Sequence, residues 1–206
     1  MNVDISRVPR ARLPKATTLE RIYRGLDASG RPRSPWFYSS GDAGAGGRFD
    51  LAEPHGTCYL AGDLDAAFLE TFRGARVIAE KDVARRRVLT ATASRPSAPW
   101  ADLTHELATE AGVSLDVFSG SGYSDTQALA AECHASGDRG VISLIRHQSD
   151  GTARGYSMFG QAGPAEEAPG GWVAQTAALR ECLQRLAPHL RSRVRAVPRT
   201  MRASTP

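Results

Sequence analysis

A chain of 206 residues with 41% hydrophobic and 23% charged side chains has enough apolar content for one packed domain and too much for a disordered polypeptide. Its net charge of +4 is carried by arginine, since Lys15 and Lys81 are the only lysines among 26 basic residues; guanidinium suits a bidentate grip on phosphate or carboxylate, although GC-rich coding bias gives the same composition. Three widely spaced cysteines, Cys58, Cys133 and Cys182, argue against a secreted disulfide framework, and no signal-like core or run near the ~20 apolar residues that cross a bilayer is visible, so a soluble, cytoplasmic protein with no membrane contact is expected.

Residues 1–17 hold two prolines and no sustained period, and read as an N-terminal arm or tail laid over the surface of a domain spanning 18–187. Residues 18–26 form a short strand with Ile22 and Leu26 on one face and Tyr23 on the other. Residues 27–47 are turn chemistry, ASGRPRSP and then SSGDAGAGG, and read as one long loop. A strand at 56–61 precedes a helix whose start is marked by Asp63 or Asp65 and whose end is marked by Gly74. Leu64, Phe68, Leu69 and Phe72 share its apolar side, with Glu70 roughly opposite. Strands are expected at 77–79 and 88–93, a helix near 104–110, a helix at 124–135, strands at 140–145 and 155–159, and a helix at 172–186. Short strands intermixed with helices define an α+β class, a compact mixed α/β domain. The segment 188–206 is read as a basic, flexible tail, five arginines and no acid following His189. Contact with nucleic acid through that tail is open, with a solvated end the simpler reading.

Four local patterns carry chemistry, each with a plain structural alternative. Arg24 in RIYRGL ends a strand and reads equally well as a surface arginine. In GDAGAGGRFD, residues 41–50, closely spaced glycines let backbone amides approach a ligand and Arg48 adds a bidentate donor. This is not a dinucleotide fingerprint, since a strand rather than a helix follows it, nor a P-loop, since the Gly-Lys-Ser/Thr ending is missing. Glu70 on a polar helix face is ordinarily just solvated. Ser124, with Gln127 three residues on, fits the capping box that opens helices; a cap hydroxyl beside free helix amides can also meet a ligand. His55 with Cys58, and Cys133 with His134, are each half of a zinc site without a second half, and no G-x-S-x-G elbow occurs.

The order of these pieces, IYRG at 22–25, GGRFDLAEPHGTCYLAGDLDAAFLETF at 46–72 and YSDTQALAAECHASGDRGV at 123–141, resembles the RES family, named for its Arg, Glu and Ser residues and known as toxins paired with Xre-type antitoxins. The resemblance covers about two-thirds of the chain and is most specific at 46–72. It implies a fold similar to ADP-ribosyltransferases and cleavage of the nicotinamide–ribose bond of NAD. Inorganic phosphate would be the co-substrate and the products nicotinamide and ADP-ribose-1''-phosphate, with no metal or prosthetic group required. On this resemblance Glu70, Arg48 and Ser124 are catalytic, and Arg24, Tyr23, Tyr38, Arg48 and Ser124 bind substrate. A fixed carboxylate at Glu70 would stabilise oxocarbenium character and hold a ribose hydroxyl. Arg24 and Arg48 would hold the pyrophosphate or the incoming phosphate, and Ser124 the ribose or the nicotinamide amide. The sequence departs from the family where Gly25, rather than tyrosine, follows Arg24, leaving Tyr38 or Phe37 to supply an aromatic wall, and the match fades beyond Gly140. The partners implied are NAD and an Xre-type antitoxin, with a homo-oligomer compatible. An ADP-ribosyltransferase or NAD glycohydrolase is the enzymatic alternative, and a basic nucleic-acid- or partner-binding module the non-enzymatic one.

Overall fold

A computed structural model describes residues 3–41, 46–114, 117, 123–147 and 151–196. Among them, strands run over Arg10–Ala11 (β1), Thr18–Arg24 (β2), Trp36–Tyr38 (β3), His55–Ala61 (β4), Ile78–Ala79 (β5), Arg86–Ala93 (β6), Trp100–Asp102 (β7), Gly140–Leu144 (β8), Arg154–Gln161 (β9), Gly163–Ala165 (β10), Trp172–Ala178 (β11) and Val194–Arg195 (β12). Helices run over Leu64–Thr71 (α1), Glu80–Ala84 (α2), Ser124–Ala135 (α3), Leu179–Cys182 (α4) and Pro188–Arg191 (α5). Among the described residues, eight strands form one sheet in the order β1-β7-β8-β9-β4-β2-β6-β11, antiparallel except for β7 beside β8. The architecture is α+β. No helix of the described residues is long and apolar enough to cross a membrane.

The large sheet parts in its middle. β4 pairs with β9, and β2 with β6, over seven positions each, whereas β2 and β4 meet only at Glu20 opposite Ala61. Beneath one face of the sheet lies a continuous aromatic layer in which Tyr23, Trp36, Tyr38, Trp100 and Trp172 pack on Leu89, Ile142 and Met158. The opposite face carries two separate apolar clusters. Phe68, Val88, Leu179 and Leu190 gather around α1, α4 and α5, while Phe49, Ala130, Val141 and Phe159 gather around α3 and the 3₁₀ turn Glu106–Ala111. Each fully buried large side chain contributes roughly 1.5–3 kcal/mol, so the helices dock on these two patches. The strip of sheet between the patches is polar, with Tyr59, Ser143 and Ser157 on the same face by register.

Local signals set α1 directly. Asp63 accepts from the Ala66 amide at 2.7 Å and caps the helix, and Gly74, at φ +68°, turns the chain out of it in a conformation that side chains disfavour.

Elsewhere the tertiary structure overrides the sequence expectation. β2 lies inside the sheet and is buried on both faces, and Leu26, beyond its end, is 56% exposed. The expected loop at 27–47 contains β3, whose Trp36 and Tyr38 are buried and which pairs with β10. The helix expected at 172–186 is mostly strand: β11 pairs with β6 at seven positions, and only Leu179–Cys182 is α-helical before a 3₁₀ turn at Leu183–Arg185. The segment near 104–110 is a 3₁₀ turn, Glu106–Ala111. The expected arm buries Ile5, Val8 and Leu13, and the first part of the expected basic tail, 188–195, is packed, with Leu190 1% exposed and β12 paired with β5, while residues 197–206 of that tail lie outside the described residues. Ser124 is not a cap. The N-cap position is Tyr123, without a side-chain cap bond, and Ser124 is the exposed first residue of α3.

Two outcomes follow. Leu190→Ala lowers the free energy of unfolding by about 2–5 kcal/mol in a urea titration, as a fully buried leucine does, whereas a loosely attached segment would show no change. Ser124→Ala shifts stability by less than about 0.5 kcal/mol in a thermal melt, against the ~1 kcal/mol that loss of a true cap costs.

Candidate active site

The parting between β2 and β4 opens onto a cavity of about 280 Å³ above the polar strip of the sheet. Glu20 and Arg21 reach it from β2, Tyr59 from β4, Glu70 from α1, Tyr156 and Ser157 from β9, and Arg48 from the turn before β4. Residues from both faces of β2 take part because no partner strand closes that edge.

Arg48 is delivered by a turn that glycine makes feasible. A Cβ at Gly47 would come within 2.8 Å of an Asp50 carboxylate oxygen and closer still to the Tyr59 hydroxyl. The buried Asp50 carboxylate closes the turn, accepting from the Gly47 amide at 2.6 Å and from the Ser39 and Tyr59 hydroxyls at 2.7 Å each. Hydrogen bonds to a charged acceptor are roughly twice as strong as neutral ones. The Tyr59 oxygen in turn accepts from the Phe49 amide at 2.9 Å. Burial, and next the Asp50 charge, push the Tyr59 phenol well above 10, so it stays protonated and holds its bond to Asp50. From α3, Gln127 Nε2 donates to the Gly47 carbonyl at 3.0 Å. The turn is thereby tied to β4, to the segment after β3 and to α3.

The Arg48 guanidinium lies 4.9 Å from the Phe49 ring centroid and donates to the Leu144 carbonyl at 3.1 Å. Burial lowers its pKa and the nearby Glu70 charge opposes that fall; an arginine keeps its proton regardless. Glu70, in the last turn of α1 and half-buried, accepts from the Arg146 amide at 2.8 Å. The Arg146 side chain stacks 5.8 Å from the Tyr123 ring centroid and donates to its hydroxyl at 3.4 Å. Cation and anion thus face one cavity, each oriented by a backbone group.

Arg48 and Glu70 are brought together; the other expected positions lie elsewhere. Ser124 is exposed and outside the cavity lining, one residue past the Tyr123 that meets Arg146. Arg24 opens onto a different cavity, with Arg33 and Arg86. Tyr23 belongs to the aromatic layer. Tyr38, 4% exposed, packs over Gly160, where a Cβ would lie 2.5 Å from its ring, and donates to Met158 Sδ at 3.7 Å. Burial pushes its phenol up to about 12. Tyr38 is therefore a core aromatic rather than a wall of this cavity.

Sequence reasoning missed Arg21 and Glu20. Arg21 donates to the Phe37 carbonyl at 3.0 Å and to Cys58 Sγ at 2.8 Å. Glu20 is 2% exposed; its Oε1 accepts from Thr90 Oγ1 at 3.0 Å and pairs with Arg185, while Oε2 has no hydrogen-bond partner. A glutamate between Leu19 and Ile22 in a strand of the sheet was the available signal, since a buried carboxylate is retained only with partners. Burial raises the Cys58 thiol and takes that of Cys133 up to about 12, so neither is a thiolate nucleophile near neutral pH. The arrangement suits a ligand with developing positive charge beside Glu70 and an anionic group beside Arg48.

No curated protein sequence matches the chain. Among solved structures it is similar to a chain of the M. tuberculosis MbcT–MbcA toxin–antitoxin complex, with a TM-score of 0.58 and 22% identity, over 81% of this chain and 85% of that one. At that identity the likeness establishes a common fold. The RES domain family model matches residues 18–168, from β2 through β10, a span that includes Arg48 and Glu70. This match extends over well more than half of the chain, and the protein belongs to the RES domain family.

Proposed function

We propose that this protein is an NAD-degrading toxin that cleaves the nicotinamide–ribose bond, with inorganic phosphate as acceptor. The observation that carries the reading is the opposition of Glu70 and Arg48 across one cavity in the parted sheet. Breaking the bond sends its electron pair into the nicotinamide ring, which leaves neutral, and positive charge develops on the ribose. A carboxylate already oriented by the Arg146 amide stabilises that charge without reorganising. Arg48, stacked on Phe49 and held by the Leu144 carbonyl, orients a phosphate oxygen. That oxygen bonds to the ribose carbon, giving ADP-ribose-1''-phosphate. In the same proposal Ser124, the first residue of α3 and next to the Tyr123 that meets Arg146, would meet a ribose hydroxyl or the nicotinamide amide. An antitoxin as partner is part of the same proposal, supported by the toxin–antitoxin complex among the similar structures, and its Xre type is carried over from the family resemblance alone.

ADP-ribosyl transfer to a macromolecule is the second reading, because the same carboxylate would serve it. Phosphate dependence separates the two. Nicotinamide release from NAD that rises with phosphate supports phosphorolysis; equal release without phosphate assigns water as acceptor, and label retained on a macromolecule assigns transfer. Glu70→Gln lowers nicotinamide release by about a hundredfold or more with an unaltered melting temperature, and undiminished turnover would remove Glu70 from the chemistry. Tyr38→Phe leaves kcat and KM as in the parent, while Tyr38→Ala costs about 3–5 kcal/mol of stability, the pattern of a core aromatic; a selective fall in kcat for Tyr38→Phe would return the hydroxyl to the site.

A further inference from the structure

A separate cavity of about 660 Å³ lies where β2 ends and β6 begins. In the antiparallel register of these strands Arg24 stands directly opposite Arg86, and like charges at such a pair oppose folding. Arg33, before β3, and Arg85, between α2 and β6, line the same space, so four guanidinium groups meet two carboxylates, Asp27 and Asp82. Asp27 is committed to its own turn, accepting from the Ser29 amide at 2.8 Å, the Ser29 hydroxyl at 2.7 Å and the Arg31 amide at 3.0 Å, and pairing with Arg31. Among the described residues no ion pair engages Arg24, Arg33, Arg85 or Arg86.

Arg86 is the most enclosed of the four. Its guanidinium lies 4.9 Å from the Phe72 ring centroid, and its Nε is buried with no hydrogen-bond partner. Burial, and next the charge of Arg24, lower its pKa, while Asp82 opposes the fall. A guanidinium oriented by stacking, with an unused donor and an excess of like charge around it, is organised for an anion with several acceptor oxygens.

We propose that this cavity is a phosphate-binding site in which Arg24, Arg33 and Arg86 grip the oxygens of a phosphate group and Arg85 adds charge at the rim. The site shares no lining residue with the Glu70 cavity, although a smaller pocket of about 220 Å³, lined by Arg21, Arg24, Arg33 and Arg86 among others, adjoins both. It stands independently of whether NAD is cleaved at Glu70. Free phosphate and a phosphate carried on a nucleotide present the same oxygens, and the test separates them.

Isothermal titration of the full chain with inorganic phosphate, and separately with ADP, at fixed chloride concentration, is made on the parent, Arg33→Gln, Arg86→Gln and Glu70→Gln. The expected result is binding of at least one probe to the parent, weakened about tenfold or more in both arginine variants and retained in Glu70→Gln. Phosphate binding assigns the site to the free ion; binding of ADP alone assigns it to a nucleotide-borne phosphate. Exposed Arg33 can be replaced without opening the core, so it keeps the test decisive if Arg86→Gln unfolds. The proposal is overturned if neither probe binds the parent, if Arg33→Gln binds as the parent does, or if binding disappears only in Glu70→Gln.

Discussion

The buried Asp50 carboxylate is the constraint on which the site depends. A charge in a low-dielectric interior must be met by donors, and Asp50 draws them from the Gly47 amide, from Ser39 beyond β3 and from Tyr59 on β4. Satisfying one carboxylate fastens the glycine turn to the sheet and fixes the phenol of Tyr59. Arg48, two residues before Asp50, then extends over Phe49 and toward the Leu144 carbonyl. Removing Asp50 would leave several buried donors unmet at once, a more damaging change than losing one surface ion pair.

The opening that Arg48 enters is made by a shortage of hydrogen bonds. One register pair joins β2 to β4, where their outer neighbours pair along the whole strand. The gap cannot be filled by apolar packing, because the two helix-bearing clusters lie on either side of a polar strip that includes Tyr59 and Ser157. Glu20 marks the same edge, buried and joined to Arg185 near the end of the fold, so the C-terminal elements help hold β2 in place.

Positive charge is distributed along β2 in a way that stability alone does not favour. Arg21 turns toward the aromatic layer and Arg24 toward the opposite face, where it meets Arg86 across the ladder. A folded protein keeps opposed guanidinium groups more readily where an anion spends time between them, as at many functional sites where local cost is accepted.

Much was legible in the sequence where the governing physics is local. Asp63 and Gly74 bound α1, the S-x-x-Q pattern at 124–127 marked the start of α3, β4 and β8 were read as strands, and the spacing from the glycine turn to Glu70 carried the family resemblance. The glycines beside Arg48 were visible, but their need became clear only with Tyr59 and Asp50 in place. Tertiary structure decided the rest. Residues 172–178 became a strand because β6 offered a full ladder, β3 formed within apparent loop chemistry because Trp36 and Tyr38 found the aromatic layer, and Ser124 lost its capping role when Tyr123 took that position. The choice between Arg21 and Arg24 at the Glu70 cavity likewise rested on which strand edge was left open. Sequence by itself determined the segments whose hydrogen bonds close within a few residues and the identity of the charged groups; only the fold decided which distant edges pair and which part, and therefore which of those charges face one another.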